Sequence, residues 1–245
     1  MNETMRCMHR HVSVRAFQDR PLEPGLLDRL IACGQAASTS SFIQAYSVIR
    51  VRDRANRERI AEAAGNQAWI VSAPEFLVFC ADLKRIEYCC KKSGQGEIDG
   101  YTEHFLAASV DTALMAQNVL LAAESVGLGG VFIGGIRNDP ATVSACLELP
   151  RLVYPVFGMC LGWPDQRHAV KPRMPLDDIL HDDRYRAAEL EQRVDDYDRV
   201  MREYYASRGS NRRVSDWSEQ SAKAVQGKKR EHMLDFLRGQ GFLLR

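Results

Sequence analysis

Hydrophobic periodicity alone predicts the α/β fold class, in which strands and helices alternate along the chain. Two apolar runs, 75–82 and 153–163, have the composition of strands, and the first is apolar enough to be buried on both faces. Between them, residues 107–126 have the spacing of a long apolar helix. A doubly wound sheet that binds a dinucleotide would carry a GxGxxG motif after its first strand, and this motif is absent there.

Local patterns define the other elements. Leu26, Leu27, Leu30 and Ile31 share one helical face, and Asp139–Pro140 supplies the cap and first-turn residues of a helix. From Tyr185 onward the chain is charged and helical. In chain order, the predicted elements are helix 24–36, strand 47–52, helix 54–64, strand 75–82, helix 107–126, strand 131–133 and strand 153–163.

Helix 107–126 is predicted to run through the centre of the core, because apolar residues almost surround it. Its polar residues Asp111, Asn118 and Ser125 recur every seven positions, which corresponds to two helical turns. We therefore expect only this narrow stripe of the helix to meet solvent.

Composition places the chain among ordinary globular proteins. It has 245 residues, 45% hydrophobic and 27% charged, and a formal net charge of +1, so net charge does not indicate a nucleic-acid partner. Seven cysteines lie scattered, several of them inside apolar runs, which favours a reducing compartment over a disulfide framework. No signal peptide and no uninterrupted apolar span of membrane length is apparent. These features predict a cytoplasmic protein without a membrane partner.

Two short stretches combine cationic and hydroxyl groups in a way that suits a phosphate. In HVSVR, 11–15, an extended chain would point His11, Ser13 and Arg15 to one side. In KPR, 171–173, two cations flank a proline that stiffens the segment. A polar edge strand and a surface loop, respectively, explain the two stretches equally simply.

Three further stretches are typical of ligand-binding loops. ASTSSFIQ, 37–44, offers small donors after a helix, and FIGGIRN, 132–138, has glycines that allow close approach of a backbone. SRGSNRR, 207–213, surrounds a turn with arginines, whose planar donors match phosphate oxygens. Helix capping, a tight turn without a ligand and a solvated connection remain the alternatives.

Together, these stretches resemble one family in their order and spacing. HxSxR, STSSFIQ, GNQ at 65–67, VDTALMAQNVLLAAESVGLGGVFIGGIRN, FGMCLGWP, KPR and SRGSNRR are similar to the NADPH-preferring group of the nitroreductase superfamily. The resemblance implies an α+β fold, with a central, mainly antiparallel sheet wrapped by helices, in place of the α/β class. It also implies one domain over 1–245, with a helical C-terminal excursion at 185–245, and an intertwined homodimer.

The resemblance also implies a cofactor site. FMN would be bound tightly but not covalently, with its phosphate and ribityl chain among cationic and hydroxyl residues. The flavin ring would lie beside Thr39 and Gln67. NADPH would bind at the arginine loop. The implied cofactor-binding residues are His11, Val12, Ser13, Val14, Arg15, Thr39, Gln67, Phe132, Ile133, Gly134, Gly135, Lys171, Arg173, Arg208 and Arg213. Val12 stands where the family often has arginine, so only its backbone is expected to contribute. Arg230 is a further candidate for the NADPH phosphate.

The implied activity is two-electron, ping-pong reduction of nitroaromatics, quinones and similar small-molecule acceptors by NADPH. No residue stands out as an essential acid or base, and no metal site is predicted. Two alternatives stay open: an NADPH–FMN reductase that supplies reduced flavin to a partner monooxygenase, and a flavin-binding protein without turnover. A nucleic-acid-binding role for the basic region 202–245 is disfavoured, because five acidic residues are interspersed among its ten Lys or Arg.

Overall fold

A computed structural model describes residues 1–166, 169–208 and 214–245. The chain divides into two compact units. The first comprises Met1–His168 together with Arg230–Arg245, and the second comprises Ala169–Lys229. The single domain expected over 1–245, with its excursion at 185–245, stays a prediction.

The first unit is built on a four-stranded antiparallel sheet. Its strands are β1 (Tyr46–Arg50), β2 (Glu75–Asp82), β3 (Gly129–Ile133) and β4 (Val153–Gly162), in the order β1-β2-β4-β3. Every neighbouring pair is antiparallel. The α+β class is therefore confirmed, and the parallel sheet that periodicity suggested is wrong. Apolar runs show that a strand is buried, but they carry no information about the direction of its neighbours.

The apolar stretch 76–81 of β2 reflects two cores, one on each face of the sheet. Phe76, Val78 and Cys80 point into a cluster with helices α3 (Arg54–Ala63) and α7 (Pro140–Cys146). Leu77 and Phe79, which alternate with them, point into a cluster with helices α2 (Leu26–Gln35) and α6 (Thr102–Ser125). Because successive side chains of a strand face opposite ways, a strand covered on both sides is apolar along its centre, and the buried charged residues Glu75 and Asp82 stand at the two ends of β2.

Ten α-helices occur in the described ranges, and those predicted at 24–36, 54–64 and 107–126 are among them, whereas Glu3–His9, Trp69–Ser72 and Lys84–Lys92 were not predicted. Asp139 caps α7 by accepting a hydrogen bond from the Thr142 amide at 3.0 Å, which confirms the helix start predicted from Asp139–Pro140. The helices are α1 (Glu3–His9), α2 (Leu26–Gln35), α3 (Arg54–Ala63), α4 (Trp69–Ser72), α5 (Lys84–Lys92), α6 (Thr102–Ser125), α7 (Pro140–Cys146), α8 (Leu190–Ser207), α9 (Trp217–Gly227) and α10 (Met233–Gly239).

Helix α6 departs from its predicted solvent-exposed stripe. Asp111 is only 1% exposed, because its carboxylate accepts hydrogen bonds from two backbone amides of the preceding loop. Ser125 is exposed as predicted, but three further exposed side chains are apolar: Leu106, Val110 and Leu114, spaced four residues apart on one face, are 49%, 53% and 46% exposed. The expected stripe is therefore wrong at Asp111, and the apolar face near the start of the helix lies outside the core of this chain.

Helix α6 is also long and apolar enough for a membrane span by length and composition alone. This is weak support for a span, since a core helix of a globular protein passes the same test. Met115, Val119 and Leu120 of α6 are buried against α2 and the sheet. Gly34 of α2 allows this approach, because a Cβ there would lie 2.5 Å from Val119 Cγ2. The contacts of α6 are those of a core helix.

The segment 230–245 belongs to the first unit and packs against the start of β4. Leu237 and Phe242 are buried with Tyr154 of β4 in a third cluster. The Leu152 amide donates to the Gln240 carbonyl at 2.8 Å. This segment is thus part of the core that supports β4.

The second unit contains α8 and α9, which pack through Tyr197, Met201 and Tyr205. Asp216 caps α9 by accepting from the Glu219 amide at 2.9 Å. The Asp198 carboxylate accepts from the Ser218 amide at 2.8 Å, which ties the start of α9 to α8. The charged helices predicted beyond residue 185 are therefore present in this unit.

Candidate functional site

The HVSVR segment lies beside strand β3. Ser13 forms a parallel bridge with Gly130, and the Val14 amide donates to the Gly130 carbonyl at 2.9 Å. Val14 is 2% exposed, and a Cβ on Gly129 would lie 2.5 Å from Val14 Cγ2. The segment can approach the strand this closely because position 129 is glycine.

His11 is oriented by a carboxylate that the sequence did not single out. Its Nδ1 lies 2.6 Å from Oε1 of Glu124, near the end of α6. The side chain of Glu124 is 12% exposed, so the contact is partly shielded from solvent. With Nδ1 engaged, Nε2 is the ring nitrogen that faces other partners. The sequence feature that could have indicated Glu124 is its position as the lone acidic residue in the apolar stretch LLAAESVG.

Arg15 is exposed at the end of this segment. Its guanidinium carbon lies 5.8 Å from the centre of the Trp69 ring, within the range of a cation–π contact. The Trp69 indole Nε1 is buried and has no hydrogen-bond partner among the described residues. Gln166 secures the same segment, accepting from the Ala16 amide at 3.1 Å. The indole and Gln166 were not anticipated from the sequence.

The glycine turn that follows β3 packs against Gln67. Residues Gly134–Asn138 form a single 3-10 turn, and a Cβ on Gly135 would lie 2.2 Å from Gln67 Nε2. Gln67 Nε2 donates to the Ala64 carbonyl at 2.8 Å, which keeps its amide in this place. The structure therefore brings together Gln67 and the glycine pair, two of the predicted ring contacts.

The residues before the turn differ in what they can present to a ligand. The side chain of Ile133 is fully buried, so only its backbone can meet a ligand. Phe132 is 37% exposed, and its ring packs edge-on against Phe157 with centroids 5.0 Å apart. Ile133 can therefore offer a ligand only backbone groups, whereas Phe132 also exposes part of its ring. Contact of either residue with a flavin stays a prediction.

The loop that carries Thr39 is strained and held by Asp111. Ser41, Phe42 and Gln44 have φ values of 46°, 58° and 50°, a conformation that residues with side chains rarely adopt. Asp111 accepts from the Ser40 amide at 2.8 Å and from the Ala45 amide at 3.3 Å. Thr39 Oγ1 accepts from the Gln44 amide at 3.4 Å. Among the described residues this is the only hydrogen bond of the Thr39 hydroxyl, and it lies within the loop.

Arg230, which the sequence suggested for the NADPH phosphate, lies at the glycine turn. Its Nη2 donates to the Gly134 carbonyl and its Nε to Asn138 Oδ1, both at 3.0 Å. Nearby, His232 Nε2 lies 3.0 Å from the Arg137 carbonyl. Arg230 and His232, at the start of segment 230–245, thus contact the turn that was predicted to lie against the flavin ring.

The remaining predicted residues belong to the second unit. Tyr197 of α8 donates to the Pro172 carbonyl at 2.9 Å, and Lys171 Nζ lies 5.4 Å from the Tyr205 ring centre. Burial raises the pKa of Tyr197, and the positive charge of Arg173 partly offsets this effect. Helix α8 therefore fixes the KPR segment. Its convergence with the HVSVR segment stays a prediction, because the two lie in different units.

Arg208 follows the last residue of α8. Its guanidinium carbon lies 5.8 Å from the centre of the Tyr204 ring. Arg213, the other predicted NADPH contact, lies outside the described residues. In the described ranges, no cluster of three His, Cys, Asp or Glu side chains could hold a metal ion.

Comparisons with known proteins match this chain along its whole length. A model described as "Nitroreductase family" matches residues 8–163, and one described as "Nitroreductase family, C-terminal domain" matches residues 171–245. The chain belongs to the nitroreductase family. It is 43% identical over 245 residues to an NADPH-flavin oxidoreductase of Vibrio harveyi and 40% identical over 245 residues to an oxygen-insensitive NADPH nitroreductase of Salmonella typhimurium, with 100% of each chain covered.

A solved structure agrees with these relatives. The fold is similar to that of an NADPH:FMN oxidoreductase from Vibrio harveyi solved in complex with NAD⁺, with a TM-score of 0.90, 40% identity and 100% of both chains covered. The family and the nitroreductase-like α+β fold that the resemblance implied are therefore confirmed.

Proposed function

We propose that this chain is an FMN-dependent oxidoreductase that takes two electrons from NADPH and delivers them to nitroaromatics, quinones and similar flat acceptors. The NADPH-dependent flavin oxidoreductase activity, with FMN and NADPH as cofactors, follows from its family and from full-length relatives of that activity. The proposal adds the range of acceptors and the ping-pong kinetic mechanism.

The observation that carries the proposal is the way strand β3 connects two kinds of ligand-binding surface. Ser13 lies beside Gly130, and the glycine turn begins at Gly134, four residues further along the chain. At about 3.3 Å per strand residue, the separation is roughly 13 Å. The first surface offers imidazole, hydroxyl and guanidinium groups, which suit a phosphate monoester. The second offers the backbone amides of glycines, which have no side chain that would keep a flat ring at a distance.

The donor set therefore fits FMN. When bound, FMN supplies the two-electron redox chemistry, and the protein supplies binding and orientation. In our proposal, the phosphate and ribityl chain are held by the HVSVR segment together with Lys171 and Arg173. Thr39, Gln67 and the backbone of 133–135 hold the ring.

NADPH and the acceptor would use the same face of the site in turn, which gives ping-pong kinetics. Arg208 and Arg213 would bind the 2′-phosphate that distinguishes NADPH from NADH, since guanidinium groups match phosphate oxygens. An acceptor then needs little more than a flat shape, so a broad acceptor range is expected.

The homodimer is also part of the proposal. Leu106, Val110 and Leu114 form an exposed apolar face on α6, and a second copy of the chain would cover it. Replacing Val110 with Glu should raise the dimer dissociation constant at least tenfold in sedimentation experiments. The matched control is Val225→Glu on α9, where the valine is 72% exposed. An unchanged sedimentation coefficient in Val110→Glu would contradict this interface.

One spectroscopic experiment tests the activity. The purified protein should show a flavin absorption band that bleaches promptly with NADPH and slowly with NADH in the absence of oxygen. A colourless protein that does not take up added FMN would contradict the proposal. A flavin band that NADPH never bleaches would indicate a flavin-binding protein without turnover.

Acceptor kinetics distinguish the proposed activity from that of an FMN reductase. Parallel initial-velocity lines with a quinone as the varied acceptor would support the ping-pong oxidoreductase. High turnover with free FMN and little with quinones would favour the reductase that supplies a monooxygenase.

A further inference from the structure

Arg230 bridges the two ends of the glycine turn. Its Nη2 donates to the carbonyl of Gly134, the first residue of the turn, and its Nε donates to the side chain of Asn138, the last residue. Both distances are 3.0 Å, so the planar guanidinium uses two of its three nitrogens to span the turn. His232 adds a contact at the Arg137 carbonyl, 3.0 Å away.

The backbone around this contact is specified tightly. Arg230 itself has a φ of 47°, a left-handed conformation that costs free energy and persists only where the surroundings require it. A Cβ at Gly134 would lie 3.2 Å from Arg137 Nη2, and one at Gly135 would lie 2.2 Å from Gln67 Nε2. The turn therefore cannot shift easily toward Arg137 or Gln67.

Anchoring the Gly134 carbonyl has a direct effect on the next amide. The carbonyl of Gly134 and the N–H of Gly135 belong to the same planar peptide unit and point in opposite directions. A bond that fixes the oxygen therefore fixes the direction in which the Gly135 N–H points. A cationic donor on the oxygen also polarises the peptide, which makes its N–H a stronger donor.

Two cationic side chains, Arg137 and Arg230, lie at this turn. Burial lowers the pKa of Arg137, and the nearby charge of Arg230 lowers this pKa further. Arg137 donates to the Val156 carbonyl, which holds it in place. Two guanidinium groups at one turn favour a ligand that gains negative charge, as a flavin does on reduction.

We propose that Arg230 is a positioning residue that aims the Gly135 N–H at the flavin and thereby stabilises the reduced ring. This inference rests on the proposed function, because it assumes that FMN binds along this turn. It assigns Arg230 to the flavin and not to the NADPH 2′-phosphate, since two of its guanidinium nitrogens are already engaged with the turn.

The test compares Arg230→Ala, Arg230→Lys and the wild-type protein by FMN titration and by dye-equilibrated redox titration of the bound flavin. In Arg230→Ala, the dissociation constant of oxidised FMN should change less than twofold. That of reduced FMN should rise about tenfold, which corresponds to a midpoint potential about 30 mV more negative for a two-electron couple. Lysine can donate one bond to the Gly134 carbonyl and should restore part of the shift. KM should change by the same factor for NADPH and NADH.

Two controls separate orientation from charge. Asn138→Ala removes one anchor of the Arg230 guanidinium without changing any charge, and it should lower the potential by a smaller amount. Lys229→Ala removes an exposed adjacent cation and should leave the potential unchanged. An equal shift in Lys229→Ala would indicate a charge effect alone and overturn the positioning role.

Other outcomes are equally decisive. An unchanged potential together with a raised KM for NADPH only would assign Arg230 to the 2′-phosphate and overturn the inference. If Arg230→Ala does not fold, Arg230→Lys carries the test, and an unaltered potential there with weakened NADPH binding has the same meaning. Failure of the wild-type protein to bind FMN would instead overturn the proposed function.

Discussion

The imidazole of His11 and the carboxylate of Glu124 lie 2.6 Å apart and join the N-terminal segment to the end of α6. In Glu124→Gln, a charge-assisted hydrogen bond becomes a neutral one, at a cost of about 1 kcal/mol. Because this pair orients a proposed phosphate ligand, we expect the dissociation constant of FMN to rise about fivefold. Fluorescence titration of the apoprotein measures it, with Glu103→Gln at the exposed start of α6 as the control. If the two variants bind FMN with equal affinity, Glu124 does not contribute to cofactor binding.

Asp111 should be important for stability, because it supports a strained loop. In Asp111→Ala, the Ser40 and Ala45 amides lose their acceptor, and an unpaired buried donor costs about 1–3 kcal/mol. The free energy of unfolding should fall by about this amount in urea titrations at fixed protein concentration. Gln117→Ala, on an exposed position of the same helix, should change it by less than about 0.5 kcal/mol. A loss no larger than that of the control would show that the loop holds its conformation without the carboxylate.

Arg208 should read the phosphate that distinguishes the two nicotinamide donors. In Arg208→Ala, the loss of a charge-assisted contact should raise the KM for NADPH about tenfold and leave NADH nearly unaffected. Steady-state kinetics with both donors check this, and Arg199→Ala on exposed α8 serves as the control. An equal increase for both donors would mean that Arg208 does not read the 2′-phosphate.

Tyr154 should make the protein sensitive to alkali. Burial raises its pKa from 10.0 to about 12. The folded state therefore holds this proton more tightly than the unfolded state, so stability is complete below pH 10 and falls as pH rises toward 12. The loss is about 3 kcal/mol for this one group.

Unfolding titrations between pH 9 and pH 12 should show a shallower decline in Tyr154→Phe than in the wild type. Burial also raises the pKa values of Tyr46 and Tyr197, so part of the decline should remain. Tyr88→Phe, where the tyrosine is 66% exposed, provides the control. A wild-type slope in Tyr154→Phe would contradict the assignment.

The sequence predicted the elements of this fold better than their arrangement. Strand β2 was predicted at 75–82 and spans Glu75–Asp82, because the apolar stretch 76–81 has the length of a strand and is bounded by charged residues. The antiparallel order of the sheet came from the family resemblance, since periodicity does not encode strand direction. Asp111 was predicted to face solvent from helical periodicity. Its hydrogen-bond partners lie about seventy residues earlier in the chain, so periodicity could not reveal them.

The candidate site was predictable where short motifs carry it and not where distant side chains support it. HVSVR and the glycine turn stood out in the local sequence, and Gln67 was named from the family resemblance; the structure places HVSVR beside β3 and Gln67 at the turn that follows it. Glu124, Trp69 and the anchoring role of Arg230 were missed, because each depends on a contact between segments far apart in sequence.

The return of segment 230–245 to the sheet has a consequence for biosynthesis. The glycine turn and β4 are translated before residue 163, yet their partners Arg230, His232 and Phe242 emerge about seventy or more residues later. A ribosome-bound chain therefore lacks these contacts to the candidate flavin site until residues 230–242 have emerged. Cofactor loading should be a late event, completed only after residue 242 has left the exit tunnel, and stalled or shortened chains should accumulate as colourless protein.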